Sequence, residues 1–220
     1  NKAYFNKNAG IFKMNGTVVK NKLIFDFASG ILGPAKSIFA STYLQLNSSA
    51  SKISNTFESL LGDNLLNNKD IAPKNLKFSD CIKDAGSKDD RSVKDPIDGF
   101  FGDLNNLNWK QVYKGFKEFT APIDDKDELK LIKMDPGVSV PSHSHGGKEY
   151  ILVLEGSFSD EYGEYRKGDI QINDQKIKHT PMASKEHGCI CLTITEKDVI
   201  FFGKFGSFLN LFTFVKSFFK

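Results

Sequence analysis

Arginine is nearly missing from this chain. Of its 30 basic residues only Arg91 and Arg166 are arginine, and the lysines are scattered, so no arginine-rich arm or basic stripe is available to grip a phosphate backbone. The formal charge of +3 excludes a strongly basic nucleic-acid binder. Three cysteines, Cys81, Cys189 and Cys191, do not make a disulfide framework, and the default is a reducing, cytoplasmic compartment. No run approaches the roughly 20 apolar residues of a membrane span. The stretch from Asn1 to Lys22 has no continuous apolar core of signal-peptide length. Met14 is the expected native start, because the helical pattern begins only after it. Histidine is scarce too: there are four, and none precedes residue 143. What is present suffices for a core, with 40% hydrophobic and 12% aromatic residues.

The pattern divides the chain into five stretches. Residues 1–21 are a leader. Residues 22–68 read as three short helices: Leu23, Ile24, Phe27 and Ala28 recur at helical spacing, Gly30 and Gly33 interrupt, and Pro34 opens a second helix from a first-turn position where its missing N–H costs nothing. Ile38, Phe39, Thr42 and Leu46 are expected to face inward on it, followed by Ile53, Phe57, Leu60, Leu61 and Leu65 on the third. Residues 69–108 are a polar linker with a short helix near its end. From Trp109 to 205 the texture is that of short strands, with Glu128–Met134, Glu149–Phe158, Asp169–Ile172 and Cys189–Thr195 separated by turn residues, which points to a sandwich or barrel. Residues 206–220 place Phe208, Leu211, Phe212, Val215 and Phe219 at helical spacing, an amphipathic helix for packing on the barrel or in a homodimer. The acidic run Asp124–Glu128 reads as a solvated turn.

The chemistry concentrates in the histidines. His143 and His145 are two apart, so on a strand they share a face, with Glu149 four further on and His179 within reach from a neighbouring strand. Three imidazoles and a carboxylate suit one divalent ion such as zinc, iron, manganese, nickel or cobalt. His187 has no partner at ligand spacing and reads as a solvated loop histidine. Cys189 and Cys191 face one way on a strand and read as paired packing.

The spacing also carries a resemblance. Gly137, His143-x-His145, Glu149 and Gly156 stand at the intervals of the first cupin motif, and Gly168 and His179 match the second, although Asp174 and Lys176 stand where Pro and Gly are usual. The fold implied is α+β, a small helical module followed by a cupin (a double-stranded β-helix or jelly-roll barrel). Asp135–His145, Glu149–Phe158, Asp160–Asp169, His179-Thr-Pro181 and Gly188–Leu192 resemble the ChrR-type anti-sigma family in particular. Leu23–Gly30 and Gly62–Leu66 are similar to its sigma-binding helices. The resemblance implies a regulator that sequesters an extracytoplasmic-function sigma factor and responds to oxidative stress, with metal ligands His143, His145, Glu149 and His179 and no direct nucleic-acid contact. It also implies a sigma-binding face on the helices, for which Phe27 and Phe39 are the expected residues, with a core separate from that of the cupin.

In one respect the chain departs from that family. The family's N-terminal zinc ligands, a histidine and two cysteines, correspond here to Tyr43, Asn47 and Ala50, none of which makes a usual zinc ligand. The rival reading from the same cluster is a cupin metalloenzyme, dioxygenase-like or an isomerase, acting on a small organic substrate. That reading requires room and polar groups beside the metal, whereas a sensor fits a small pocket closed by side chains such as Phe158, Met182 or Tyr150.

Overall fold

Two central strands carry apolar side chains on both faces, and this decides how the molecule is layered. The computed structural model describes residues 16–67 and 96–203. The expectations for residues 1–15, the polar stretch with Cys81, and the tail from 204 lie outside the described residues. So do the side chains of Leu60 and Leu65.

Helix α1 (Gly16–Ala28) starts ahead of the expected boundary at residue 22, since Val19 already belongs to the stripe of Leu23 and Phe27, four residues apart. It ends where Gly30 turns left-handed at φ 68° and the N–H of Ile31 reaches back to the carbonyl of Asp26, which closes the last turn. Helix α2 (Pro34–Leu46) begins at the proline, and α3 (Ser48–Asn67) follows after Asn47, whose side-chain oxygen accepts from the Ala50 N–H and caps it. A short helix α4 (Pro96–Phe101) and a single 3-10 turn (Leu104–Asn106) lead into the strands.

The strands are β1 (Lys110–Tyr113), β2 (Phe116–Thr120), β3 (Glu128–Met134), β4 (His143–His145), β5 (Glu149–Asp160), β6 (Gly163–Arg166), β7 (Ile170–Asn173), β8 (Met182–Ala183), β9 (Cys189–Thr195) and β10 (Val199–Phe201). All named pairings are antiparallel. The main sheet runs β1-β2-β3-β9-β5-β6, with β7 and β8 also on β5, while β4 pairs with β10. The helices-then-strands order is the α+β arrangement that the sequence implied.

Alternation along β5 and β9 sorts their side chains into two cores. Ile151, Val153, Phe158, Cys189 and Cys191 turn inward with Phe116 and Met134. Tyr150, Leu152, Leu154, Ile190, Leu192 and Ile194 turn outward, where Leu23, Ile24, Ala35, Phe39 and Tyr43 of the helices cover them in one continuous cluster. The expectation of two separate cores is therefore corrected. Phe39, expected on a partner-binding face, is wholly buried, with its ring edge-on to Tyr150 at 5.9 Å. Phe27 is partly buried against the same cluster, whereas Phe25 is 42% exposed and stacks edge-on against Phe57.

The acidic run is likewise more than a solvated turn. The Asp125 carboxylate accepts from the Ala35 N–H at 2.9 Å and so caps α2 from the barrel, since Gly33 at the helix start has no side chain to do it. A Cβ on Gly33 would lie 2.9 Å from that carboxylate, so the glycine makes the approach possible. Asp127 is buried and pairs with Lys36 at 3.0 Å.

Candidate metal centre

Strand β4 holds His143 and His145 two residues apart, so both project to one side, and their rings meet edge-on at 4.9 Å. His179 sits opposite His143 in a two-way backbone bridge, each N–H donating to the other's carbonyl at 3.0 Å. Glu149 opens β5 on the face shared with Ile151 and Val153. The four ligand atoms lie within 4.8 Å of one another, and all four side chains are buried. This brings together every metal ligand expected from the sequence.

The contacts inside the cluster are those of a coordination shell. The Nε2 atoms of His143 and His179 are 3.1 Å apart, and Glu149 Oε2 lies 3.0 Å from His145 Nε2 and 3.4 Å from His179 Nε2. For metal–nitrogen bonds of about 2.1 Å, the edge of a tetrahedron is about 3.4 Å. Both ring nitrogens of His145 are buried without a hydrogen-bond partner, despite the proximity of Glu149. Orphaned imidazole nitrogens are costly inside a protein, and a bound cation on Nε2 relieves that cost. The residues therefore fit a divalent metal.

A second layer of groups orients the first. His143 Nδ1 faces the Pro141 carbonyl at 2.9 Å, and His179 Nδ1 faces Asp160 Oδ2 at 3.1 Å, so each donates there and turns Nε2 to the centre. Asp160 is itself fixed by Gln171 at 2.7 Å and by the Tyr162 N–H at 2.8 Å. Asn173 donates to Glu149 at 3.0 Å. Asp160, Gln171 and Asn173 were missed by sequence reasoning, because ligand spacing describes residues 143–149, whereas Asp160 lies at the far end of β5 and Gln171 and Asn173 lie on β7.

Charge follows the geometry. Burial pushes His143 down to about 4, so it stays neutral at ordinary pH. Burial also opposes charge on His179, but its bonds to Asp160 and Glu149 outweigh this and push it up to about 9. Burial alone would raise Glu149, yet the His145 and His179 imidazoles hold its carboxyl well below the usual range. Beside the cluster, contact with Cys189 and burial keep the Cys191 thiol protonated. Both cysteines pack in the inner core, and His187 is an exposed loop residue.

Of the side chains expected to close a sensor pocket, Phe158 is buried in the inner core, Met182 is partly exposed, and Tyr150 faces away toward the helices. Cavities of about 210 and 230 Å³ lie elsewhere. One is lined by Ile97, Asp103, Leu154 and Lys167 among others, the second by Lys20, Ile24, Tyr43, Asn47, Ala50 and Ile53. Tyr43 and Ala50, two of the positions that the resemblance assigned to zinc ligands, are buried against the second, while Asn47 serves as the α3 cap.

Comparison with known proteins agrees with this anatomy. Residues 100–197 match the family described as the ChrR cupin-like domain. The anti-sigma-E factor ChrR of Cereibacter sphaeroides is 28% identical over 205 residues, which cover 87% of this chain and 92% of that protein. The structure of Rhodobacter sphaeroides SigE in complex with the anti-sigma ChrR aligns with a TM-score of 0.65 at 29% identity, covering 80% of this chain and 96% of the matched chain.

Proposed function

We propose, from the premise that this chain is a relative of ChrR with a ChrR cupin-like domain, that it is an anti-sigma regulator whose cupin holds one divalent metal. Its helices sequester an extracytoplasmic-function sigma factor, and its metal-bearing barrel governs release under oxidative stress. The observation that carries this reading is the extent of the likeness: it takes in the helices as well as the barrel and reaches 96% of the chain that was crystallised with SigE. The division of labour is a helical sigma-binding module that begins at Gly16, a linker ahead of α4, and a metal-binding cupin whose family match begins at residue 100. A sigma-factor partner places the protein in the cytoplasm, and no described helix is long and apolar enough to cross a membrane.

His143, His145, Glu149 and His179 are the proposed ligands, with zinc as the first choice of metal. When bound, the ion supplies a fixed positive charge that ties β4, the start of β5 and the His179 segment together. On the helices, Phe27 and the more exposed Phe25 replace Phe39 as candidates for the sigma-binding face.

Co-expression with the sigma factors of a host genome and recovery on the tagged full chain tests the proposal. One sigma factor should co-purify, and Phe25→Asp with Phe27→Asp should release it while the metal content stays unchanged. Recovery of no sigma factor, together with turnover of a small organic substrate such as a diketone, would identify the chain as a cupin metalloenzyme instead.

A further inference from the structure

The first three residues around the start of β5 reach in three directions. The Glu149 carboxylate enters the histidine cluster. Tyr150, next in the strand, points to the opposite side of the sheet, where Phe39 meets it edge-on and the Lys36 ammonium lies 5.5 Å above its ring. Lys148, one residue earlier, is clasped to Glu196 just past β9: its N–H donates to Glu196 Oε2 at 3.2 Å, and the Glu196 N–H returns to its carbonyl at 3.0 Å. The other oxygen of that carboxylate accepts from Lys36 Nζ at 2.7 Å. Lys36 stands in the first turn of α2, its second partner is the buried Asp127, and these two hydrogen bonds hold it charged against its burial.

We infer that Lys36 couples occupancy of the metal centre to the seating of α2 on the barrel, through the Lys148–Tyr150 start of β5 and Glu196. The inference rests on the reading of the four buried side chains as a metal site. Drawing Glu149 onto an ion fixes the position of the strand start. That strand start carries both the ring under Lys36 and the backbone group that orients Glu196. With the cluster empty, Glu149 keeps only its bonds to Asn173 and the imidazoles, the strand start is held less firmly than by an ion, and the seat of Lys36 loosens with it. No ligand needs to touch α2 for this. The path is short, continuous and made of packed groups.

Thermodynamic linkage gives the measurement, because coupling must act equally in both directions. In the full-length chain, zinc should slow hydrogen exchange of residues 34–46 about tenfold. Lys36→Met keeps the aliphatic stem and removes the charge. It should abolish that zinc dependence and, although Lys36 is not a ligand, weaken zinc affinity about tenfold in competition with a chelator. Glu196→Gln should do the same in part, and it serves if Lys36→Met does not fold. Lys22→Met, which breaks only an exposed pair with Asp26 on α1, should change neither quantity. A merely structural clamp would raise exchange in Lys36→Met and leave zinc affinity at the wild-type value, and that result overturns the coupling. If wild-type protein binds no zinc, the metal reading itself fails and takes the coupling with it, which distinguishes the two failures.

Discussion

Replacing Phe39 with alanine tests whether the helices and the barrel are one folding unit. The ring is 0% exposed and fills the junction between α2 and the outer face of the sheet, edge-on to Tyr150. Truncating a fully buried phenylalanine costs about 3–5 kcal/mol, and the aromatic pairing lies within that figure as about 0.5–1.5 kcal/mol. With a urea m-value of about 2 kcal/mol/M, a loss of about 4 kcal/mol moves the midpoint down by about 2 M. Two probes watch the two parts. Circular dichroism follows the helices, and the single tryptophan, Trp109, sits at the entrance to the barrel, its Nε1–H donating to the Leu104 carbonyl at 2.8 Å. Because one core spans both, the two signals should shift together by the same amount. A variant that loses helical signal early while Trp109 unfolds at the wild-type midpoint would refute the shared core. Phe39→Leu, which keeps most of the volume, should move both midpoints by less than half as much.

Other consequences follow from the site and its surroundings. Purified protein should contain one equivalent of divalent metal by elemental analysis, and the His143→Ala, Glu149→Ala double variant should contain none. Asp160→Asn should keep one equivalent at saturating metal but bind it about 10–100-fold more weakly, as measured by chelator competition, because His179 loses its orienting carboxylate. Asp125→Ala should cost about 1 kcal/mol in denaturant melts, the usual worth of a helix cap, here supplied from a different part of the chain. His179 is raised from 6.5 to about 9 in the folded protein, so its contribution to the metal-stripped form is complete below pH 6.5 and is lost as pH rises through 9. Thermal melts of stripped protein should therefore fall across that window, and a flat profile would contradict the Asp160–His179–Glu149 arrangement.

The candidate metal ligands were legible in the sequence because strand geometry writes them at fixed intervals. His143, His145 and Glu149 lie within seven residues of one another, and a spacing of two needs no knowledge of the rest of the fold. β3 and β9 were readable for the same local reason, as short runs between turn residues, β9 rich in Ile and Thr. What connects α2 to the barrel was not. Lys36 meets Glu196 across 160 residues and Asp125 meets Ala35 across 90, and charged residues at such distances look like ordinary solvated ones. One local signal did exist. Tyr150–Leu154 is five consecutive apolar residues with no polar alternation, the mark of a strand covered on both faces. A barrel interior covers one face only, so a second layer was implied, and the three amphipathic helices were the available cover. Phe39 belongs to that cover, in line with its inward place in the helical pattern and at odds with a place on a partner-binding face.

The outer face of β3, β5 and β9 sets a condition on anything that would pry the helices loose. Leu129, Leu131, Leu152, Leu192 and Ile194 lie side by side beneath them, each at most 2% exposed. Lifting α2 away would present these side chains to water as one contiguous apolar patch, of the kind that drives chains to stick to one another. A barrel expressed without its helices should accordingly aggregate. A partner that grips the outward side of α1 and α3 can do so with this seal intact, whereas one that extracts α2 must bring an apolar lid of its own.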